Sequence, residues 1–147
     1  MRLSELFKDV DHRLVGDDIE IADIAYDSRR VRSGTLFAAI SGLRFDGHEF
    51  VSDAIEHGAT AVLVERELPG LDVPQIVVRN TREVLGTAAA AFYGHPARKM
   101  RIIGVTGTNG KTTTTYMIKS ILEEAGKKVG IIAIDPRMYF ISIPRHS

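Results

Sequence analysis

The residues best suited to chemistry lie in one short stretch, residues 104–113, which reads GVTGTNGKTT. A glycine-rich turn between a strand and a helix directs backbone N–H groups toward one point, where the helix dipole also favours an anion. Gly107 and Gly110 allow close backbone approach to a phosphate. Lys111 supplies a cation for the outer phosphates, and Thr112 offers a hydroxyl to Mg²⁺. The stretch predicts a nucleoside triphosphate site.

The match to the phosphate motif is imperfect at one position, but two other interpretations of this turn are weaker. The strict pattern G-x-x-x-x-G-K-[ST] requires glycine at position 105, where this chain has Val105. A dinucleotide-binding turn is disfavoured because the spacing G-x-G-x-x-G is absent. A purely structural glycine-rich turn with a surface lysine is disfavoured, because a strand before the turn and a helix after it are the context that the phosphate motif requires.

The elements that must position this turn follow from local patterns. The run RIIGVT is typical of a strand, a helix is expected from about residue 111 to 125, and KKVGIIAI is typical of a second strand. Strand, loop, helix and strand in this order are half of a doubly wound α/β sheet. The predicted helix carries its apolar side chains on one face: Met117, Ile118, Ile121, Leu122 and Ala125.

A smaller α/β domain is predicted upstream of the turn. Leu3, Leu6, Phe7 and Val10 have the spacing of a short amphipathic helix. Strands are predicted in IEIADIAYDS, TLFAAI, ATAVLVE and PQIVVR, and helices in EFVSDAIEHGA and TREVLGTAAAAFYG, the latter with Asn80 as its cap. The linker-like GHPARKM places a domain boundary between residues 97 and 98, giving domains 1–97 and 98–147.

Composition excludes several classes of protein. Lysine and arginine together number 19, as do aspartate and glutamate, so charge does not favour a nucleic acid or a membrane as partner. The chain has no cysteine, which excludes disulfides and thiolate metal sites. No apolar run approaches the roughly 20 residues of a membrane span, and the N-terminus lacks a secretory signal. We therefore expect a cytoplasmic protein.

Two separate motifs make the chain resemble a known family. The stretch GVTGTNGKTTTTYMIKSILEEAGKKVG, preceded by AAAFYGHPARKMRIIG, resembles the Mur ligases of peptidoglycan synthesis, whose loop shares the departure at Val105. The upstream stretch AYDSRRVRSGTLFAAISGLRFDGHEFVSDAIEHGATAVLVE is similar to the UDP-binding domain of the MurE and MurF branches. GTNGKTTT together with FYGHPARK favours the MurE branch, and the resemblance covers residues 1 to about 132.

The resemblance implies an ATP-dependent ligase. The family reaction adds an amino acid, meso-diaminopimelate or lysine, to UDP-N-acetylmuramoyl-L-alanyl-D-glutamate through an acyl phosphate. Lys111 would act catalytically on the β- and γ-phosphates, and Thr112 would meet Mg²⁺. The residues implied to hold ATP are Gly107, Thr108, Asn109, Gly110, Lys111, Thr112 and Thr113.

The resemblance also implies a site for the UDP end of the substrate. Its residues would be Ser28 and Arg29 of the DSR turn, with Ser41, Gly42, Asp46, Gly47 and His48 of the following loop lining the same pocket. An arginine fork matches phosphate oxygens. The residues alone favour a simpler interpretation, in which Asp27 and Ser28 stabilise a turn and Arg29 is solvated. A lone histidine such as His48 is likewise more often a surface or packing residue than a ligand.

The resemblance stops after Ile132. The tail AIDPRMYFISIPRHS has no periodic pattern, and a truncated or altered reading frame is its simplest explanation. Later family residues and a C-terminal domain would lie beyond this chain, so we expect the chain by itself to lack ligase activity. A sheet begun by two strands and one helix buries little apolar area, so the second domain is expected to be poorly ordered or to lean on a partner chain.

Three alternatives stay open on the sequence. A MurF-type ligase shares the phosphate loop and the first domain. A module that binds a UDP-sugar or nucleotide without catalysis would need only the binding residues. A generic nucleotide hydrolase would leave the upstream motif unexplained.

Overall fold

The computed structural model describes residues 1–42, 45–135 and 138–144 of the 147-residue chain. Residues 43–44 of the loop singled out above, and residues 136–137 and 145–147 of the tail, lie outside the described residues. The chain forms two compact units, Met1–Tyr93 and Gly94–Ser147. The domain boundary between residues 97 and 98 stays a prediction.

The first unit is built on a five-stranded sheet of order β1-β5-β4-β3-β2. Strands β2 to β5 run parallel, and β1 pairs antiparallel with β5 at one edge. Parallel strands end at the same edge of a sheet, so the loops after β2, β3, β4 and β5 gather there. The elements are α1 (Leu3–Leu6), β1 (Arg13–Val15), β2 (Asp23–Ala25), β3 (Thr35–Ala38), α2 (Val51–Glu56), β4 (Ala59–Val64), β5 (Gln75–Val77) and α3 (Thr81–Phe92), with 3₁₀ turns at Ser28–Arg30 and Gly47–Phe50.

Helices cover both faces of this sheet, as its apolar strands require. Leu36 and Leu63 pack with residues of α1 and α3 on one face. Phe37 and Val62, their neighbours in sequence, pack with residues of α2 on the other face. Successive side chains of a strand point to opposite faces, and here both are apolar, which is the pattern of strands buried on both sides. The predicted α/β class is confirmed.

The N-terminal segment differs from its prediction. Helix α1 ends at Leu6, and Val10 reaches the same core through a turn in which its N–H donates to the carbonyl of Phe7. The strand β1 was not predicted, because three residues carry too short a pattern to be recognised. Its pairing with β5, which places Leu14 opposite Ile76, stabilises it in the fold.

The second unit contains the predicted strand, loop, helix and strand. They are β6 (Met100–Thr106), α4 (Lys111–Glu124) and β7 (Gly130–Asp135), preceded by a 3₁₀ turn at Pro96–Lys99 and followed by β8 (Met138–Pro144). The tail was not predicted to be a strand, yet β8 lies between β6 and β7 and pairs antiparallel with both. β6 and β7 therefore run parallel to each other, as expected for the start of a doubly wound sheet, but are separated by a strand of opposite direction.

The apolar face predicted for α4 is not fully turned inward. Met117 is 60% exposed and Ile121 is 67% exposed, whereas Ile118 and Leu122 are half-buried. Thr115 is buried beside Ile118 and Leu122, so only part of the predicted apolar face is covered. No helix in the described part of the chain is both long and apolar enough to cross a membrane.

Candidate functional site

The phosphate loop, residues 107–110, connects the end of β6 to the first residue of α4. Gly110 precedes the helix with φ of 75°, a left-handed conformation in which an L side chain is strained. The carbonyl of Gly110 accepts the first helical hydrogen bond, from Thr114 N at 2.9 Å. The backbone N–H groups at the start of a helix have no carbonyl partner within it. Those of α4 therefore face the loop, as an anion site requires.

Lys111 places its charge over this loop. Its Nζ donates to the carbonyl of Gly107 at 2.6 Å and to that of Thr108 at 3.3 Å. The ammonium therefore lies against the phosphate loop, near the N-terminus of α4. Thr112 is exposed beside it.

The remaining predicted nucleotide residues lie in the same loop and first helical turn. Thr108, Asn109 and Thr113 are exposed. Val105 is an extended residue inside β6, paired with residue 139, so the position where the strict pattern requires glycine lies before the turn. A left-handed glycine, a helix N-terminus, a lysine and a hydroxyl together fit a nucleotide phosphate with Mg²⁺.

The DSR turn follows β2. Two interpretations were given for it: a turn stabilised by its own side chains, and an arginine available to a phosphate. The Asp27 carboxylate caps the 3₁₀ turn by accepting from Arg29 N, and it accepts from Nε and Nη2 of Arg29 at 2.9 Å each. The hydrogen bond from the Arg29 side chain lowers the pKa of Asp27. Ser28 is buried, whereas the side chain of Arg29 is 84% exposed. The turn is therefore self-stabilised and still presents a guanidinium to solvent.

Arg29 lines a cleft of about 660 Å³ in the first unit. Its walls come from β2, from the 3₁₀ turn and the residues on either side of it, and from Leu85, Ala89 and Tyr93 in and directly after α3. Three arginines and two exposed tyrosines line it: Arg29, Arg30, Arg32, Tyr26 and Tyr93. Two carboxylates, Asp23 and Asp27, line the cleft as well, so arginines outnumber aspartates by one. Guanidinium groups bind phosphates and aromatic rings stack on planar groups, so the cleft suits an anionic ligand with a flat ring. Tyr93, which directly follows α3, was not predicted, because nothing in the sequence relates α3 to the DSR turn.

The loop after β3 does not line that cleft among the described residues, contrary to the expectation of one shared pocket. Its base is closed by backbone hydrogen bonds, from Gly42 N to the carbonyl of Phe45 and from Gly47 N to the carbonyl of Ile40. A Cβ atom at Gly47 would lie 2.5 Å from Ile40 N and 2.7 Å from Ile40 O. Gly47 is therefore required by close backbone approach.

His48 is a structural residue of this loop. Its side chain is 1% exposed, Nδ1 lies 2.6 Å from Oδ1 of Asp46, and Nε2 accepts the backbone N–H of Glu65 at 2.9 Å. Because Nε2 accepts, Nδ1 carries the proton and donates it to Asp46. Both ring nitrogens are thus engaged within the protein, so direct contact of this ring with a substrate is not supported.

Asp46 and Glu65 are two ionised carboxylates in this network. Hydrogen bonds from the backbone and ring of His48, with a further one from Arg66, hold the pKa of Asp46 far below its usual value of 3.8. Partial burial opposes ionisation of Glu65, but hydrogen bonds from Thr81 and Ser41 lower its pKa overall. Each negative charge is therefore satisfied by donors of the protein itself.

The candidate residues of the first unit meet at one edge of its sheet. Ser28 follows β2, Ser41 follows β3, Glu65 follows β4 and Thr81 follows β5. Ligands of open α/β sheets bind at the carboxyl ends of the strands, so this edge is the expected binding edge. Glu65 and Thr81 were not predicted, because their partners lie 16 to 24 residues away in sequence.

Comparison with known proteins shows which family the chain is similar to. Residues 20–93 match the model described as "Mur ligase family, catalytic domain", and residues 105–143 match that of the Mur ligase middle domain. The chain is 53% identical over 135 residues to a UDP-N-acetylmuramoyl-L-alanyl-D-glutamate–2,6-diaminopimelate ligase of Syntrophomonas wolfei, covering 90% of this chain and 28% of that protein. A ligase of the same name from Clostridium tetani is 46% identical over 138 residues, with the same coverage. The chain thus spans about 28% of the length of these relatives.

Similar solved structures come from another branch of the same family. A crystal structure of MurF from Acinetobacter baumannii has a TM-score of 0.61 and 30% identity, covering 82% of this chain and 27% of that one. MurF from Thermotoga maritima in complex with ADP has a TM-score of 0.51 and 29% identity, covering 69% and 23%. Sequence, fold and both motifs lead to the same conclusion. The chain belongs to the Mur ligase family.

Proposed function

We propose that the chain is the N-terminal part of an ATP-dependent ligase that joins 2,6-diaminopimelate to UDP-N-acetylmuramoyl-L-alanyl-D-glutamate. The observation that carries this proposal is the 53% identity to a relative of that name, which extends over 135 residues and so includes residues of both units. We expect such a ligase to act in the cytoplasm.

The first unit would hold the UDP end of the substrate. The guanidinium of Arg29 is exposed at the cleft, and the loops after β2 and β3 belong to the binding edge of the sheet. Ser41, Gly42, Asp46, Gly47 and His48 would shape this site through their network, and Ser28 through its buried place in the DSR turn.

The second unit would hold ATP and Mg²⁺ at the phosphate loop. Lys111 would move from the carbonyls of Gly107 and Thr108 to the outer phosphates, and the Thr112 hydroxyl would face the metal. When bound, Mg-ATP supplies the phosphoryl group that activates the substrate carboxylate. Residues 107–113 orient the phosphates, and Lys111 offsets their negative charge.

Calorimetric titration of the chain tests the two sites separately. We expect the UDP-N-acetylmuramoyl dipeptide to bind, and Mg-ATP to bind through Lys111. Lys111→Ala should weaken Mg-ATP binding by about tenfold or more, since a charge-assisted hydrogen bond contributes about 1.5–3 kcal/mol. Lys119→Ala is the matched control, because Lys119 pairs with Glu123 on the same helix. Equal Mg-ATP affinity of the two variants would contradict the role of Lys111, and binding of neither ligand to the wild type would contradict the proposal.

A MurF-type ligase is the second candidate, and the structural similarity to MurF from Acinetobacter baumannii favours it. The identity of 30% to that structure is well below the 53% to the diaminopimelate ligase. Titration with the UDP-linked tripeptide distinguishes the two candidates. Tighter binding of the tripeptide than of the dipeptide would favour the MurF-type function.

The lack of ligase activity in the chain by itself also stays a prediction. Its test is ADP release from ATP in the presence of dipeptide substrate and 2,6-diaminopimelate. Release that requires both would contradict it.

A further inference from the structure

The cleft beside Arg29 contains guanidinium groups that the protein itself does not use. Its two carboxylates already accept hydrogen bonds: Asp27 from the side chain of Arg29, and Asp23 from the backbone N–H of the next residue at 2.8 Å. Neither Arg30 nor Arg32 forms a side-chain hydrogen bond or a salt bridge with the residues that the structure describes. Two guanidinium groups of the cleft are therefore available to an anionic ligand, and their planar forks match phosphate oxygens.

Two exposed tyrosines give the same cleft an aromatic surface. Tyr26, directly after β2, is 66% exposed, and Tyr93, directly after α3, is 61% exposed. The ring of Tyr93 packs edge-to-face on that of Phe92, with 5.1 Å between the centroids, and Phe92 packs against the core of the first unit. A ring that is already held in place loses little conformational entropy when a planar group stacks on it. Tyr93 is therefore prepared for stacking before a ligand binds.

We propose that the uracil ring of the substrate stacks on Tyr93 and Tyr26, and that Arg30 and Arg32 bind its diphosphate. This inference rests on the proposed function and deepens it, because it places the UDP end in one described cleft and names the residues that hold its base. The cleft has a volume of about 660 Å³, within the range of about 300–1,000 Å³ that is common for small-molecule sites. Aromatic rings and guanidinium groups lie around this one volume, as a ligand that joins a base to a diphosphate requires.

Calorimetric titration with UDP tests the stacking residue in the wild type, Tyr93→Ala, Tyr93→Phe and the control Tyr116→Ala. Tyr93→Ala removes the ring, and we expect the Kd for UDP to rise about tenfold, within the range known for loss of one base–aromatic stack. Tyr93→Phe keeps the ring, so its Kd should stay within about twofold of the wild type. Tyr116 is exposed to a similar extent, 58%, but lies in α4 of the second unit, so Tyr116→Ala should leave the Kd unchanged.

Arg32→Ala tests the diphosphate end of the ligand. Because the Arg32 side chain has no hydrogen bond or salt bridge with the described residues, its removal breaks no such contact there. We expect the Kd for UDP to rise about threefold, as for loss of an exposed ion pair. Arg82→Ala is the matched control, since Arg82 is an exposed arginine in the first turn of α3 that does not line the cleft, and its Kd should not change.

Tyrosine fluorescence gives a second measurement, which reports direct contact with the base. The chain has four tyrosines and no tryptophan, so no tryptophan signal covers that of tyrosine. Saturating UDP should quench the wild type, and should quench Tyr93→Phe less although its affinity is kept. A wild-type Kd in Tyr93→Ala, or equal quenching in Tyr93→Phe and the wild type, would overturn the stacking, and a wild-type Kd in Arg32→Ala would overturn the diphosphate contact. Absence of UDP binding to the wild type would instead refute the proposed function of the first unit, and the inference with it.

Discussion

Replacing Gly47 by alanine should destabilise the first unit through steric crowding. The added Cβ would lie 2.5 Å from Ile40 N, 2.7 Å from Ile40 O and 2.8 Å from the carbonyl carbon of Ala39. All three are backbone atoms, so no side-chain rotation relieves the contact. Overpacking of this kind costs about 1–3 kcal/mol. Separating the two segments also breaks the hydrogen bond from Gly47 N to Ile40 O, which contributes about 0.5–1.5 kcal/mol. We expect a loss of about 2–4 kcal/mol in the free energy of unfolding.

Urea and thermal unfolding followed by circular dichroism measure this loss. In a domain of this size, about 1 kcal/mol corresponds to about 4–8 °C, so the melting temperature should fall by at least about 8 °C. Gly86→Ala is the control, because Gly86 lies inside α3 with nothing within 4 Å of an added Cβ. That change should stabilise the chain by about 0.5–1 kcal/mol. A loss smaller than about 1 kcal/mol in Gly47→Ala would refute the reasoning, since overpacking alone should cost that much.

Two further predictions concern the core and the dependence on pH. Leu63→Ala, at a fully buried position of the sheet, should cost about 2–5 kcal/mol in urea unfolding, and the half-buried Leu71→Ala clearly less; equal losses would contradict the assigned core. The pKa of Glu65 is lower in the folded chain than its usual 4.5, so its charge stabilises the fold above that pH, and the stabilisation is lost as pH falls through the lowered folded value. The excess stability of the wild type over Glu65→Gln should therefore shrink between about pH 6 and pH 3, and a constant difference in melting temperature over that range would contradict this.

Features encoded by neighbouring residues were predicted well. Asn80 was expected to cap α3, and its side chain does accept from Glu83 N at 3.1 Å. The phosphate loop was located between the correct strand and helix, and α4 begins at Lys111 as expected. These features depend on contacts three or four residues apart, which a linear pattern contains.

Features that depend on distant residues were not predicted. The resemblance implied that His48 lines the substrate site, whereas the residue alone was interpreted as a surface or packing residue. The groups that hold its ring, Asp46 and the backbone of Glu65, 17 residues away, were not predicted. Met117 and Ile121 of α4 were expected to face inward but are exposed. An amphipathic pattern shows which face of a helix is apolar, but not how much of that face the rest of the fold covers. The strand β8 was not predicted, because it is stabilised by pairing with β6 and β7, and a pattern along the chain does not show which strands pair.

The sequence by itself determined the α/β class, the phosphate loop and the family, because these depend on residue type and on spacing along the chain. The tertiary structure alone decided which loops meet at the edge of the first sheet. It placed Ser41, Glu65 and Thr81 in one hydrogen-bonded group, and none of the described residues of the loop after β3 lines the cleft beside Arg29. The order of the strands determines which loops lie next to each other at this edge, and that order is set by packing between segments that are far apart in sequence.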